Sequence, residues 1–315
     1  MLCNSYAQDS LLISTTTIDT GNISFVQASP KDTLTKDKKR QWLVGGASAS
    51  IYGATLVALN KAWYQQYEKT SFHTFNDAGE WLQVDKVGHG WTAYNTSRGA
   101  TATWQWAGLP HNKAVWIGSL SGFTYLTVIE LLDAQSASWG WSWADMGANT
   151  FGSSIFAAQE LLWNKQKIQF KFSALKTNYN NRLEPRAQSL FGNALAERLL
   201  KDYNAQTYWL SFNLKSFVPK SNLPAWLNVS VGYGADGLWG GFENKAFDKE
   251  GNITFDRADI KRYRQWYIAP DVDFTKIKTK SKVLKKAFTF LNILKFPAPA
   301  LEYSQGKLKG HWFFF

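Results

Sequence analysis

Near Gln166 the spacing of apolar residues changes, and this change limits which elements can bury them. Upstream lie three runs without a single charged residue, Gln41–Asn60, Ala114–Ile129 and Met146–Gln159, rich in Gly, Ala, Ser and Leu. They read as helices, and the segment as a bundle of about four or five. Downstream, Ile168, Phe170 and Phe172 alternate with Gln169, Lys171 and Ser173. Tyr208, Leu210, Phe212 and Leu214 alternate with Trp209, Ser211, Asn213 and Lys215, and Leu227, Val229, Val231 and Tyr233 with Asn228, Ser230, Gly232 and Gly234. A period of two is a strand signature, and Pro219, Pro224 and the glycines between Gly237 and Gly241 punctuate it. Further strands are expected over Tyr263–Phe274 and Lys307–Phe315. Helices followed by strands predict an α+β fold, a Gly/Ala/Trp-rich helical bundle and then an antiparallel β region. The expected organisation is a signal remnant and polar linker over 1–40, a helical membrane-associated domain over 41–166, and the β region over 167–315.

Composition narrows the setting. Aromatic residues make up 16% of the 315 residues and charged residues only 19%, which excludes a disordered chain. One cysteine, Cys3, excludes a disulfide framework and Cys-based metal sites. Excess Trp with depleted charge suits a bilayer interface. Gln41–Asn60 is long enough to cross a bilayer core as a helix at about 1.5 Å per residue, although its small residues equally suit close helix packing. Ser5-Tyr6-Ala7 resembles the end of an export-signal cleavage site, and Cys3 is a candidate lipid-attachment residue without the apolar stretch that should precede it. Positive charge gathers in 261–295, with ten basic residues against two acidic ones. There an amphipathic helix is expected near 282–295, with Lys282, Lys285, Lys286, Phe288 and Leu291 as candidate membrane contacts. Its apolar stripe would serve equally to pack on the sheet. Export removes nucleic acid as a partner, leaving membrane lipid and envelope proteins.

Three polar clusters interrupt the helical half. Asp85-Lys86-Val87-Gly88-His89 places Asp85 and His89 on one helix face, with Arg98 further on. Glu130 and Asp133 share a face at the end of the second uncharged run. Ser142 is placed to cap a helix whose first turn carries Asp145, and Asn149 continues the Asp145 face. If the helices pack together, these groups converge, and three readings stay open. Asp85, His89, Glu130 and Asp145 could work as general acids and bases. One His among several oxygens could hold a divalent metal, though the spacing matches no established ligand motif and no cofactor is predicted. Lys86, Arg98, Asp133 and Asn149 could instead complete a buried network that sets helix register. No nucleophile elbow, phosphate loop or dinucleotide fingerprint is present, and the sequence does not name a reaction. The polar stretch Lys201–Thr207 reads as a turn satisfying its own backbone.

Asp85-Lys86-x-x-His89, Glu130-Leu-Leu-Asp133 and Trp139-Gly-Trp-Ser-Trp-Ala-Asp145-x-x-Ala-Asn149-x-x-Gly152 together resemble the YfiM-like family of predicted periplasmic lipoproteins, a domain family of unknown function. The stretches 200–209, 225–236, 296–302 and 311–313 look like its longer members. The same skeleton is similar, more distantly, to VanZ-like membrane proteins. The resemblance implies a Gram-negative envelope setting, periplasm or outer membrane, and no established activity. The leading expectation is a structural or interaction component of the cell envelope. The alternative is a hydrolase or transferase acting on envelope lipid or glycan. An outer-membrane β-barrel with a helical insertion is the alternative fold, with Leu308, Gly310, Trp312 and Phe314 as its last outward face.

Overall fold

Helix and strand divide where the period changes. The structure, a computed structural model, describes residues 38–64, 68–175 and 177–315. The readings of an export signal and of Cys3 fall on residues outside these. The helical half contains α1 (Lys38–Leu59), α2 (Val84–Trp106), α3 (His111–Asp133) and α4 (Trp143–Trp163). By length and composition α1 and α3 are long and apolar enough to cross a membrane. α1 buries only Val44, whereas α3 packs along α2 and α4. Glycines allow that packing. A Cβ on Gly152 of α4 would lie 2.0 Å from the Gly90 carbonyl oxygen of α2, and one on Gly118 of α3 would lie 2.1 Å from Thr101 Oγ1.

The β half comprises β1 (Ile168–Ala174), α5 (Glu184–Phe191), α6 (Leu195–Lys201), β2 (Gln206–Asn213), α7 (Leu214–Phe217), β3 (Leu227–Asp236), β4 (Lys245–Phe247), β5 (Ile253–Asp256), β6 (Tyr263–Val272), α8 (Lys282–Leu291), β7 (Ala298–Ser304) and β8 (Lys307–Phe314). Six strands form an antiparallel sheet in the order β1-β2-β3-β6-β7-β8, and β4 pairs with β5 alone. The sheet is not closed into a barrel, because β1 and β8 do not pair. Residues 293–295 run along the free edge of β1 instead: Phe172 N–H donates to Ile293 O and Lys295 N–H to Phe172 O. Several boundaries differ from expectation. Leu214 starts a helical turn because Asn213 caps it, and β6 stops at Val272 because Asp273 turns the chain. The helix expected over 282–295 ends at Leu291, where buried Asn292 bonds to Gln169 and to the Phe274 amide.

The register sorts the sheet into two unlike faces. On one, Phe170, Leu210, Val231, Ile268 and Leu301 stand opposite one another, and beside them Phe172, Tyr208, Tyr233, Trp266, Tyr303 and Leu308. On the other, Lys171, Trp209, Gly232, Tyr267 and Glu302 form one row, and Gln169, Ser211, Ser230, Ala269 and Ala300 the next. The polar face is the buried one. Lys171 and Asp271, both fully buried, lie 2.9 Å apart, and Asp271 also accepts from Ser211 at 2.6 Å. Asn213, Asn228 and Ser211 continue the chain of bonds. Trp209 of β2 reaches Phe314 of β8 at 5.9 Å between ring centres, so the sheet curls around this face.

The helices cover only the β1–β3 end of the apolar face. Val84, Tyr94, Phe156 and Ala157 share one core with Phe170, Tyr208, Ala235 and Leu238. Gln159 and Gln166 stitch the two halves together. Gln159 Oε1 accepts from the Lys167 and Ile168 amides, and Gln166 Oε1 accepts from Tyr94. The tight helix crossings give a clear expectation. Gly152→Ala should destabilise the protein by about 1–3 kcal/mol in urea unfolding. Gly147→Ala on the same helix, with open space around its new methyl group, should leave stability unchanged or raise it by up to about 1 kcal/mol.

Candidate functional site

The polar groups of the helical half meet at the start of α2, the end of α3 and the start of α4. α2 is entered through an unusual turn. Trp81, Leu82 and Gln83 carry φ of 49°, 50° and 68°, three consecutive side-chain-bearing residues in the left-handed region. Each such residue costs roughly 1–2 kcal/mol, so the turn persists only where its surroundings hold it. Trp81 N–H donates to Gly241 O at 2.7 Å, the Tyr233 hydroxyl donates to Leu82 O, and Arg264 donates to Gln83 Oε1 at 2.6 Å. The clamps come from the β half, and the turn aims the first residues of α2 at the neighbouring helices.

Lys86 stands at the centre. Its buried ammonium donates to Asp77, to Asp85 at 3.0 Å and to Asp145 at 2.9 Å. Ser142 caps α4 by accepting from the Asp145 amide, and its hydroxyl donates to Asp77. Asp85 also accepts from the Tyr203 hydroxyl at 2.7 Å, and Asp133 from the Tyr64 hydroxyl at 2.7 Å. His89 lies one turn beyond Asp85. Its Nδ1 is 3.2 Å from Asn149 Oδ1 and 3.5 Å from Glu130 Oε1, and its Nε2 is 3.9 Å from Asp145 Oδ1. A cavity of about 200 Å³ is lined by Asp77, Glu80, Asp85, His89, Asp145 and Tyr203, among others.

Charge in the cluster is unbalanced. Burial and six neighbouring carboxyl groups oppose two basic side chains, so the protons are shared unevenly. Burial disfavours a charged His89, but Asp145, Asp85 and Glu130 outweigh it and raise the imidazole to about 9. Burial lifts Asp145 to about 7 against the pull of His89 and Lys86, and lifts Glu130 to about 8. Glu80 is pushed up to about 7 by burial and by the charge of Asp85. Asp85 goes the other way. Burial is outweighed by His89, Lys86 and the Tyr203 hydroxyl, which hold it below its ordinary value. Both oxygens of Glu130 and Oδ1 of Asp145 have no hydrogen-bond partner. Asp85, His89 and Asp145 each present a ligand atom within 4.8 Å of the others, close enough to share a divalent cation.

The structure thus brings Asp85, His89, Glu130 and Asp145 together, with Lys86, Asp133 and Asn149 around them. Arg98 stands apart. It lies further along α2, and its charge acts on Tyr94 and Lys171 rather than on the cluster. The acids of the cluster pair instead with Lys86 and His89. Asp77, Glu80, Tyr64 and Tyr203 are site residues that sequence reasoning missed. Asp77 and Glu80 sit in the turn-like stretch Asn76-Asp-Ala-Gly-Glu80, which carries no periodic signal, and Tyr203 arrives from the stretch read as a self-contained turn.

Residues 74–161 match the model of a family described as predicted periplasmic lipoprotein, a domain of unknown function. That segment carries every acid of the cluster, with Lys86 and His89, and the description supports an exported, envelope-located protein of unknown activity. It lends no support to the likeness to VanZ-like membrane proteins. No curated protein and no solved structure matches the chain.

His89 gives a pH prediction. An imidazole raised from its ordinary value stabilises the fold while charged. The contribution is complete below pH about 6.5 and is lost as pH rises through about 9. The stability gap between the wild type and His89→Gln, read by urea unfolding, should be on the order of 3 kcal/mol at pH 6 and close between pH 7 and 10. A gap that widens with pH would contradict this charge assignment.

Proposed function

We propose that the cluster is the acid–base centre of an envelope enzyme, a hydrolase or transferase acting on envelope lipid or glycan. The observation that carries the reading is Glu130. It is 1% exposed, has no side-chain hydrogen bond, and faces Nδ1 of His89 at 3.5 Å, with the Ser142 amide as its backbone neighbour. A network selected only for helix register would satisfy these atoms, because an unpaired buried acceptor costs about 1–3 kcal/mol. Lys86, Asp77 and Ser142 fit the register role well, whereas Asp145 and His89 line the polar cavity, with Glu130 set against His89. The clamped left-handed turn before α2 adds support, since backbone strain of this kind gathers at functional sites.

In this reading Asp145 Oδ1 accepts a proton from water or from an acceptor hydroxyl in the cavity. The His89 imidazolium donates a proton to the departing oxygen, and Glu130 steadies the imidazolium through Nδ1. Asp85, anchored by Tyr203 and Lys86, keeps negative charge beside His89 so that it stays protonated. In a second reading of the same atoms Asp85, Asp145 and a His89 that has given up its proton would hold a divalent cation, which would supply Lewis-acid polarisation of the substrate.

The test incubates the purified protein with lipid and glycan fractions of the envelope and follows products by mass spectrometry. Asp145→Asn and His89→Gln should each lower turnover by about 10²–10⁴-fold while circular dichroism stays that of the wild type. Loss of turnover on adding a chelator, restored by a divalent cation, assigns the work to metal. Variants that fold and turn over like the wild type would sink the enzymatic reading and leave the cluster as a structural network.

A further inference from the structure

The sheet is built inside out for a protein surrounded by water. Its buried face carries Lys171, Asp271, Ser211, Asn213, Asn228 and Glu302, while its opposite face is apolar. Over β1 and β2 that apolar face lies under α2 and α4. Over β6, β7 and β8 nothing among the described residues covers it. β7 alternates strictly between buried and exposed positions, and on β6 the exposed positions include Trp266 and Ile268. Leu301 is 55% exposed, Leu308 75% and Trp312 93%. Leu301 lies between Ile268 and Gly310 by register, Leu308 opposite Tyr303, and Trp312 lines one groove with Ile268 and Leu301, so they form one patch rather than scattered side chains. Where the helices part from the sheet, an apolar groove of about 610 Å³ shares Val231 and Trp266 with the patch.

The second observation is α8. Val283, Leu284, Ala287, Phe290 and Leu291 occupy one side of this helix and Lys282, Lys285 and Lys286 the other. A helix packing its stripe on the sheet would bury it, yet α8 contains no buried residue. Val283 is 76% exposed and Phe290 70%, and only Phe288 is half-buried, stacked on Phe274 at 6.0 Å. Lys276, Lys278 and Lys280 precede the helix, so six cations accompany its exposed apolar stripe.

We infer that the bare β6–β8 face and α8 seat the protein on an anionic lipid bilayer, the apolar side chains of the sheet face reaching the headgroup–acyl boundary, the open β8 edge staying at the polar level and the lysines among the headgroups. Three features select this occupant. A polar interior with an apolar exterior is the pattern strands adopt against lipid. Trp266, Tyr303 and Trp312 are the residue types that favour the interface. The lysine cluster supplies the charge that anionic headgroups complement. A protein partner would not require the polar core, and the inference stands apart from the acid–base reading because it uses none of its residues.

The experiment uses the full chain carrying Cys3→Ser, with single substitutions Leu301→Cys, Leu308→Cys and, as a control on the well-exposed loop, Lys249→Cys. Each thiol carries an environment-sensitive fluorophore. Vesicles of phosphatidylcholine and phosphatidylglycerol contain bromine on the acyl chains, which quenches only at contact. The labels at 301 and 308 should shift to shorter wavelength and be quenched several-fold, and that at 249 should not. Lys282→Gln, Lys285→Gln and Lys286→Gln combined should weaken vesicle partitioning roughly a hundred-fold. Failure to bind vesicles overturns the inference. So does binding without quenching at 301 and 308, which places the contact elsewhere. A blue shift that appears without lipid and grows with protein concentration means that a second copy covers the face, and overturns it as well. None of these outcomes bears on turnover by the cluster.

Discussion

A buried ammonium among three carboxylates organises the helical half. Lys86 is the one cation that Asp77, Asp85 and Asp145 share, and the three acids come from a loop, from α2 and from α4. Each ion pays a desolvation cost of several kcal/mol, which only close and multiple pairing offsets. That requirement holds the loop before α2 against the first turn of α4 and places His89 one turn further along. Among the described residues, removing the lysine would leave Asp77 without its ion pair and Asp85 and Asp145 with His89 as their near counter-charge. The same arrangement makes the centre electrically asymmetric, because Asp77, Asp85 and Asp145 share the ammonium while the Glu130 carboxyl faces the His89 imidazole. The asymmetry keeps His89 protonated while Asp145 and Glu130 lose their protons nearer neutrality.

Much of the helical half was legible in the sequence because its signals are local. Uncharged runs marked α1, α3 and α4, and three- or four-residue spacings put Asp85 with His89 and Glu130 with Asp133. What was not legible came from a distance. Tyr203 and Tyr233 reach the start of α2 across more than a hundred residues, and no local pattern announces them. Short elements were missed for a different reason. α5, α6, β4, β5 and β7 are each ten residues or fewer, and Pro299 obscures β7, where it is tolerated because it falls at the register shift between Ala298 and Ala300 and has no partner on β6.

The sheet shows a subtler limit. Alternation in the sequence located β1, β2 and β3 correctly and separated two faces, but it does not say which face is turned inward. The usual assumption buries the apolar one. Here the polar face is filled with paired side chains, from Lys171 and Asp271 to the asparagines around Ser211, and satisfying those groups is what makes that interior tolerable. The choice is decided by the curl of the sheet and by the segment 292–296, whose Asn292 and Lys295 both reach into that interior. A pattern read along single strands does not contain either.

The left-handed entry to α2 carries a consequence for how the molecule comes into being. The partners that hold it are separated from it by 151 residues at Leu82–Tyr233 and by 181 at Gln83–Arg264. Bringing such distant segments together is entropically expensive and slow compared with forming a helix. The helices can therefore gather early, but their clustered polar side chains acquire their final spacing only when the last strands are in place. The segment that matches the family thus holds the acids, the lysine and the histidine, while the timing of their assembly is dictated by the remainder of the chain.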